Sequence, residues 1–409
     1  MAPTSTLSWI DYSSKEREDS MKALAMFQAQ DSRDEMGIGA IRDSISDLMF
    51  PGVSTLQTRL KYFLFIAWIY KDLENRKAKP EYFAKLADRD ERTLIETLKN
   101  SDDTKRIIGS RVGVGLKTLP SLIYWSGLRS WGIFELQKSR EEYHAIINNV
   151  YTAKSCYEEV KLSRKDRDDW QDDRSILTRT WNEGLPPVPI GFPQKASFRL
   201  SLEEAEYIKD RIVLTQNNSL LAWLVINGCK TDIDHPIDHP LYNDFTNNHK
   251  AQVDHAFNFA VFMQGAAFLY NLMLAERIKR DDLIDLYTKE LIGFEECIRE
   301  GVDWDMEDFW NTCNYPLSPH SISPTTRSFV EEWYKVSTSN SFVANNQTAR
   351  ELIYKREAQL KRGRSRFSNL HMLDNWSGGS GTRFMDNRWD NVQNILNDLY
   401  DGLGGESEC

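Results

Sequence analysis

The sequence predicts a mainly α-helical, multi-domain protein with few short strands. Three observations carry that reading. Ser54-x-x-Gln57 and Ser201-x-x-Glu204 both match the capping box, in which a hydroxyl and a side-chain carbonyl or carboxylate satisfy helix-start N–H groups, and helical sequence follows each. In "SLEEAEYIKDRIVL", Leu202, Ala205, Ile208 and Ile212 recur with a helical period. Alternating strand patterns with hairpin turns are scarce, and "KASFRLS" (195–201) is the best short candidate.

The 409 residues exceed the roughly 250–300 at which one hydrophobic core stops growing, so more than one domain is expected. Composition is that of a globular protein: 41% hydrophobic and 27% charged, with 12 Trp, 16 Tyr and 19 Phe to anchor a large core. A net charge of −10 disfavours indiscriminate nucleic-acid binding but leaves room for a local basic patch. Cys156, Cys229, Cys297, Cys313 and Cys409 are widely spread with no C-x-x-C, and read as reduced thiols of a cytoplasmic protein. The N-terminus lacks a basic region followed by an apolar run, so no signal peptide is expected.

Along the chain, two zones dense in helix breakers suggest boundaries: "GLPPVPIGFP" (184–193) and "NYPLSPHSISP" (314–324). The expected parts are an N-terminal helical domain over 1–183, a central helical domain over 184–313, a basic and aromatic helical region over 325–403, and a disordered tail over 404–409. Two apolar runs invite a membrane reading. Residues 62–70 supply about half of the ~20 needed to cross a bilayer. "AFNFAVFMQGAAFLYNLMLA" (256–275) is long enough but contains Asn258, Gln264 and Asn271, the last two on one helical face. Such groups are satisfied in a packed interior, so this run is expected to be a central core helix and no membrane association is expected.

Five stretches carry candidate chemistry. After the Pro51-Gly52 turn, a helix beginning at Thr55 would present free N–H groups, with Thr55, Thr58 and Arg59 as added phosphate donors. The plainer alternative is that Ser54 and Gln57 cap each other while Arg59 pairs with Asp43 or Asp47. "GSRVGVGLKTLP" (109–120) fails the phosphate-loop pattern, because Leu116 separates Gly115 from Lys117, and reads as a turn before the helix "SLIYWSGLRSW".

In "TDIDHPIDHP", His235 and His239 lie four apart with Asp234 and Asp238 between and before them, a weak metal-ligand set. Pro236 and Pro240 disfavour a helix there, so a proline turn is the default. The block 281–308 carries a net charge of −9 and reads as solvated or partner-facing surface; its "DWDMED" has Asp308 where a calcium loop needs Gly.

Residues 350–366, "RELIYKREAQLKRGRSR", carry a net +5, with aromatics following in "FSNLHMLDNWSGGSGTRF". Arg350, Lys355, Arg356, Lys361, Arg362, Arg364, Arg366 and Trp376 are the ingredients of a nucleic-acid site, against the alternative that the helix docks on the acidic block. No Gly-x-Ser-x-Gly elbow appears, and Asp103-x-Lys105 matches a nuclease core only loosely, so the balance is against an enzyme. No cofactor is expected. The enzymatic alternative is a divergent metal-dependent nuclease using the 234–239 cluster. A third class is a structural scaffold without nucleic-acid binding.

The segments 33–70, 116–133, 262–276 and 350–381, in that order, resemble an uncharacterised bacterial family catalogued as a domain of unknown function. The resemblance implies an accessory component of an antiphage defence complex, encoded beside helicases, that binds a helicase or nuclease subunit and DNA. It carries over no catalytic residue. Its first motif contributes Arg33, Asp34, Arg42, Asp43, Ser54, Thr55, Gln57, Thr58 and Arg59, and its last Arg350, Arg356, Glu357, Arg366 and Trp376, as interface or ligand candidates.

Overall fold

The computed structural model describes residues 36–110, 116–163, 177–299, 304–313, 320–339 and 341–404. Among them are fourteen α-helices: α1 Gly39–Met49, α2 Tyr62–Asn75, α3 Pro80–Lys99, α4 Pro120–Ser130, α5 Arg140–Ser163, α6 Leu202–Thr215, α7 Leu220–Asn227, α8 Asn247–Ile278, α9 Asp281–Arg299, α10 Met306–Cys313, α11 Pro324–Ser337, α12 Gln347–Lys361, α13 Leu370–Asp374 and α14 Trp389–Gly402. The all-helical class read from the sequence holds. The few strands do not: among the described residues there is none, and an isolated antiparallel bridge joins Phe134 and Trp181. The 195–201 candidate is irregular because Phe198 is buried between the rings of Tyr62 and Phe65, and the chain then enters the α6 cap.

The chain divides into two compact units, Met1–Ile45 with Lys250–Asn387, and Ser46–His249 with Arg388–Cys409. Each unit therefore draws on two separate stretches of sequence. The expected 404–409 tail and the 111–115 part of the glycine-rich turn lie outside the described residues, apart from Gly404.

In the second unit, α2 is the hub. Residues 62–70 are buried on every side, so the run too short for a bilayer is explained as core. Phe63 stacks on Trp131 at 4.0 Å, Tyr62 meets Tyr124 at 5.3 Å, and α3 and α4 pack alongside. Each such buried ring contributes on the order of 1.5–3 kcal/mol over leaving it in water. Helix α3 begins with Pro80, has Glu81 in its first turn and Lys99 in its last, and buries Phe83, Ala87, Leu94 and Leu98 on one face. Helix α6 opens on the capping box expected at Ser201: its hydroxyl accepts from Glu204 N–H at 3.2 Å, and the Glu204 carboxylate accepts from Ser201 N–H at 2.8 Å.

The other expected cap does not start a helix. Helix α2 begins at Tyr62, and residues 53–61 form turns and irregular chain. Ser54 N–H does donate to the Gln57 side-chain carbonyl at 3.2 Å, yet Leu56 is 59% exposed, so no apolar face seats a helix here. The N–H groups of Thr58 and Arg59 instead donate to the Tyr124 hydroxyl at 2.8 and 3.1 Å, which pulls the backbone out of helical register.

In the first unit, α8 is the one described helix long and apolar enough to cross a membrane, and 78% of its most apolar window is buried inside the protein, as a core helix requires. Phe262 of α8 stacks on Trp304 at 5.3 Å, and Trp333 of α11 donates to the Phe262 carbonyl at 2.7 Å. Gly265 lets the Phe294 ring of α9 approach, since a Cβ there would lie 2.5 Å from it. Much of the acidic block is ordinary helix-start chemistry. Asp281 and Asp282 stand in the first turn of α9, and Asp305 accepts from Glu307 and Asp308 N–H at 2.9 and 3.0 Å to open α10.

The reading of all five cysteines as thiols is corrected. Cys229 is disulfide-bonded, while Cys156, Cys297 and Cys313 are not in disulfides. Separation along the sequence says nothing about proximity in a fold, which is why spacing alone read all five as thiols.

Candidate nucleic-acid interface

Helix α12 is capped by Asn346, whose side chain accepts from Ala349 N–H at 3.1 Å. Its inner face is Ala349, Ile353, Arg356 and Glu357, so Tyr354 and Lys355 point out. The helix ends after Lys361 because Arg362 has φ +49, a left-handed conformation that favours glycine. One turn back, the fully buried Glu357 fixes the path of the chain beyond the helix end. Its carboxylate accepts from Arg366 N–H at 2.7 Å, from the Ser365 hydroxyl, and from the Tyr270 hydroxyl at 3.3 Å. Asn369 adds a clamp by donating to the Gly363 carbonyl at 3.0 Å. The result is a pinned turn, Arg362-Gly363-Arg364, with both arginines exposed.

The remaining members of the basic stretch have other work. Arg356 is 3% exposed; it donates to the carbonyls of Met36 and Gly37 at 2.8 and 3.1 Å and to the Thr326 hydroxyl at 2.9 Å. The last motif of the sequence resemblance thus clamps the start of the first. Arg366 turns inward to Tyr270 at 3.2 Å and Ser380 at 2.9 Å, and burial pushes the Tyr270 hydroxyl up, which keeps it neutral. Arg350 forms a bidentate pair with Glu276 at 2.6 and 2.7 Å, a carboxylate outside the acidic block 281–308. Lys361 lies 5.5 Å from the centre of the Tyr270 ring and 3.9 Å from Glu357.

Trp376 is a buried anchor. Its Nε1–H donates to Asn271 at 3.1 Å, and the same carbonyl oxygen accepts from Ser380 N–H at 2.8 Å. Asn271 also donates to the Ser380 carbonyl at 2.8 Å, and Gln264 donates to the Thr382 carbonyl at 3.1 Å. The polar residues that seemed misplaced in an apolar helix hold the glycine-rich 376–382 segment against it. Of the eight candidates in this stretch, Lys355, Arg362 and Arg364 remain outward.

Sequence reasoning passed over Tyr354. It is 46% exposed and backed by Phe367, ring centres 5.3 Å apart, beside the exposed Lys355. The signal was present, since Tyr354 adjoins Lys355 within the basic run and, at ~100° per residue, the two lie on the same half of the helix.

Of the first-motif candidates, Arg33 and Asp34 lie outside the described residues, Arg42 and Asp43 belong to the first unit, and Ser54, Thr55, Gln57, Thr58 and Arg59 belong to the second. Arg59 donates to Asp398 at 3.0 and 3.1 Å and to Asp103 at 2.6 Å, neither being the Asp43 or Asp47 expected, and its guanidinium lies 4.4 Å from the Phe198 ring centre. Asp43 pairs with Arg42, and Asp47 with Arg388. Thr55 is exposed and Thr58 half-buried, without the helix start meant to accompany them.

Around the histidine pair, Pro236–Asp238 is a single 3-10 turn. His239 is 3% exposed, packs against Phe245 and Trp389, and accepts from Leu241 N–H at Nδ1, 3.1 Å away; burial holds its imidazole down to about 4, so it is neutral core. Among the described residues, no three His, Cys, Asp or Glu side chains gather as a metal site, so the structure does not assemble Asp234, His235, Asp238 and His239.

Fold and turn together define an all-helical protein with a cationic surface element braced from within. The chain belongs to the family of unknown function DUF6361, which it matches over residues 4–403. No curated protein and no solved structure matches it.

Proposed function

We propose that this protein is a non-enzymatic, cytoplasmic nucleic-acid-binding component of a bacterial antiphage defence system, acting beside a helicase or nuclease subunit on DNA. The observation that carries the binding role is the Arg362-Gly363-Arg364 turn, held outward by a buried glutamate at the end of a helix that also exposes Lys355. A non-glycine residue at positive φ costs roughly 1–3 kcal/mol and persists only where its surroundings over-determine it, which is common at functional sites. With a net charge of −10, the protein as a whole repels nucleic acid, so binding must come from such a local element. The setting beside a helicase or nuclease is what the sequence resemblance implies.

Salt titration of DNA binding tests this. Three cations on phosphates give a slope of log Kd against log salt of about 2 to 3. Binding is lost when Lys355, Arg362 and Arg364 become Glu, while the helical circular dichroism stays unchanged. Absence of binding even at low salt would defeat the proposal. Recovery of a helicase or nuclease with the tagged protein from its host tests the partner.

A further inference from the structure

We infer that this face takes unpaired nucleic acid, stacking a base on Tyr354 while Arg362 and Arg364 hold the neighbouring phosphates; the inference rests on the nucleic-acid reading above. A duplex buries its base faces and offers a protein surface phosphates and groove edges. An exposed ring among cations adds little to gripping such a backbone. For a single strand, the ring supplies a stacking platform that every base fits, and the cations follow the chain.

The surroundings of Tyr354 suit that use. Phe367, itself 5% exposed, backs the ring with planes 36° apart, which limits its freedom before any ligand arrives. Nearly half of the residue stays open at 46% exposure. Leu360 and Leu370, 40% and 67% exposed, put apolar surface near the two ends of the same segment, and the pinned turn lies between them. Lys355 adjoins Tyr354 in sequence, and Arg362 comes two helical turns later, so cations lie beside and beyond the ring along α12.

The test is fluorescence anisotropy with the full chain and three probes of equal phosphate number per strand: a thymidine oligomer, the same backbone with abasic sites, and a blunt duplex. The thymidine strand should bind about tenfold tighter than the abasic strand. Tyr354→Ala should erase that difference, and Tyr354→Phe should keep it, since the ring and not the hydroxyl does the stacking. Equal binding of thymidine and abasic strands, or an unchanged preference in Tyr354→Ala, overturns the stacking assignment and leaves the electrostatic reading standing. If none of the probes binds at low salt, the nucleic-acid reading fails and this inference with it. A melting scan of Tyr354→Ala, expected to show a cooperative transition well above the assay temperature, shows that a lost preference is not lost folding.

Discussion

Asp398 accepts both bonds of Arg59 Nε, at 3.1 and 3.0 Å, and a third from Leu60 N–H at 2.9 Å, from a position 339 residues away in sequence. The carboxylate thus occupies the place that a phosphate would take at this stretch, and α14 is tied to the segment leading into α2. Both side chains are largely buried, at 12% and 13% exposure. Removing Asp398 leaves the buried Arg59 with Asp103 as its one described carboxylate partner and strands the Leu60 N–H. Asp398→Ala should therefore lower stability by about 3–5 kcal/mol in urea unfolding. Arg59→Met with Asp398→Leu should recover much of the loss, and oligonucleotide affinity of that double variant should match the parent. A double variant no more stable than the single one would show that the pair is not the source of the effect.

A second buried acid gives a pH dependence. Glu91 of α3 is fully buried; one oxygen accepts from Ser121 N–H at 2.8 Å, and the other has no partner among the described residues. Burial pushes its carboxyl up to about 7, although Ser121 and Arg140 pull the other way. Its folded value lies above the ordinary 4.5, so the folded state holds a proton that the unfolded chain releases. That contribution is complete below about 4.5 and declines as pH rises to about 7, by roughly 3 kcal/mol in all. Glu91→Gln should unfold with a flatter pH profile over this window and gain stability over the parent at pH 8. An identical profile in the two proteins would remove Glu91 as the cause.

How much of this was legible depended on whether the deciding partner was near in sequence. The Ser201–Glu204 cap and the buried run 62–70 needed only neighbours, and the sequence displayed both. The same local signal misled at Ser54, because the partners that settle residues 58–60 are Tyr124 and Asp398, far along the chain. Charge counting had the same limit. It found seven cations between 350 and 366, but not that Arg356 and Arg366 are consumed by carbonyls, hydroxyls and a buried glutamate network. Tyr354 sits within the basic run, where the helical period and not the residue order marks an aromatic as outward-facing.

Asn271 supplies a prediction that separates scaffold from surface. Its amide answers the Trp376 Nε1–H and both backbone groups of Ser380, all buried. Asn271→Ala strands those three groups at once, so a loss of about 3–5 kcal/mol is expected. Gln264→Ala gives up one bond from a half-buried residue and should cost about 1 kcal/mol. Equal losses from the two would mean that the glycine-rich segment is not held chiefly at Ser380.

Arg362 should trade stability against binding. At φ +49 glycine is unstrained, so Arg362→Gly relieves the backbone, and the gain exceeds the added freedom of the unfolded chain by about 1 kcal/mol. The same change removes an exposed cation from the pinned turn. DNA affinity should fall severalfold and the salt slope by about one unit. Arg364→Gly is the matched control, removing a cation where the parent residue is not at positive φ, so it should weaken binding without raising the unfolding midpoint. If Arg362→Gly is stabilised but binds as tightly as the parent, the turn serves the fold alone. If it is neither stabilised nor weakened, the left-handed arginine has no energetic consequence, and its backbone gives no reason to assign the turn a function.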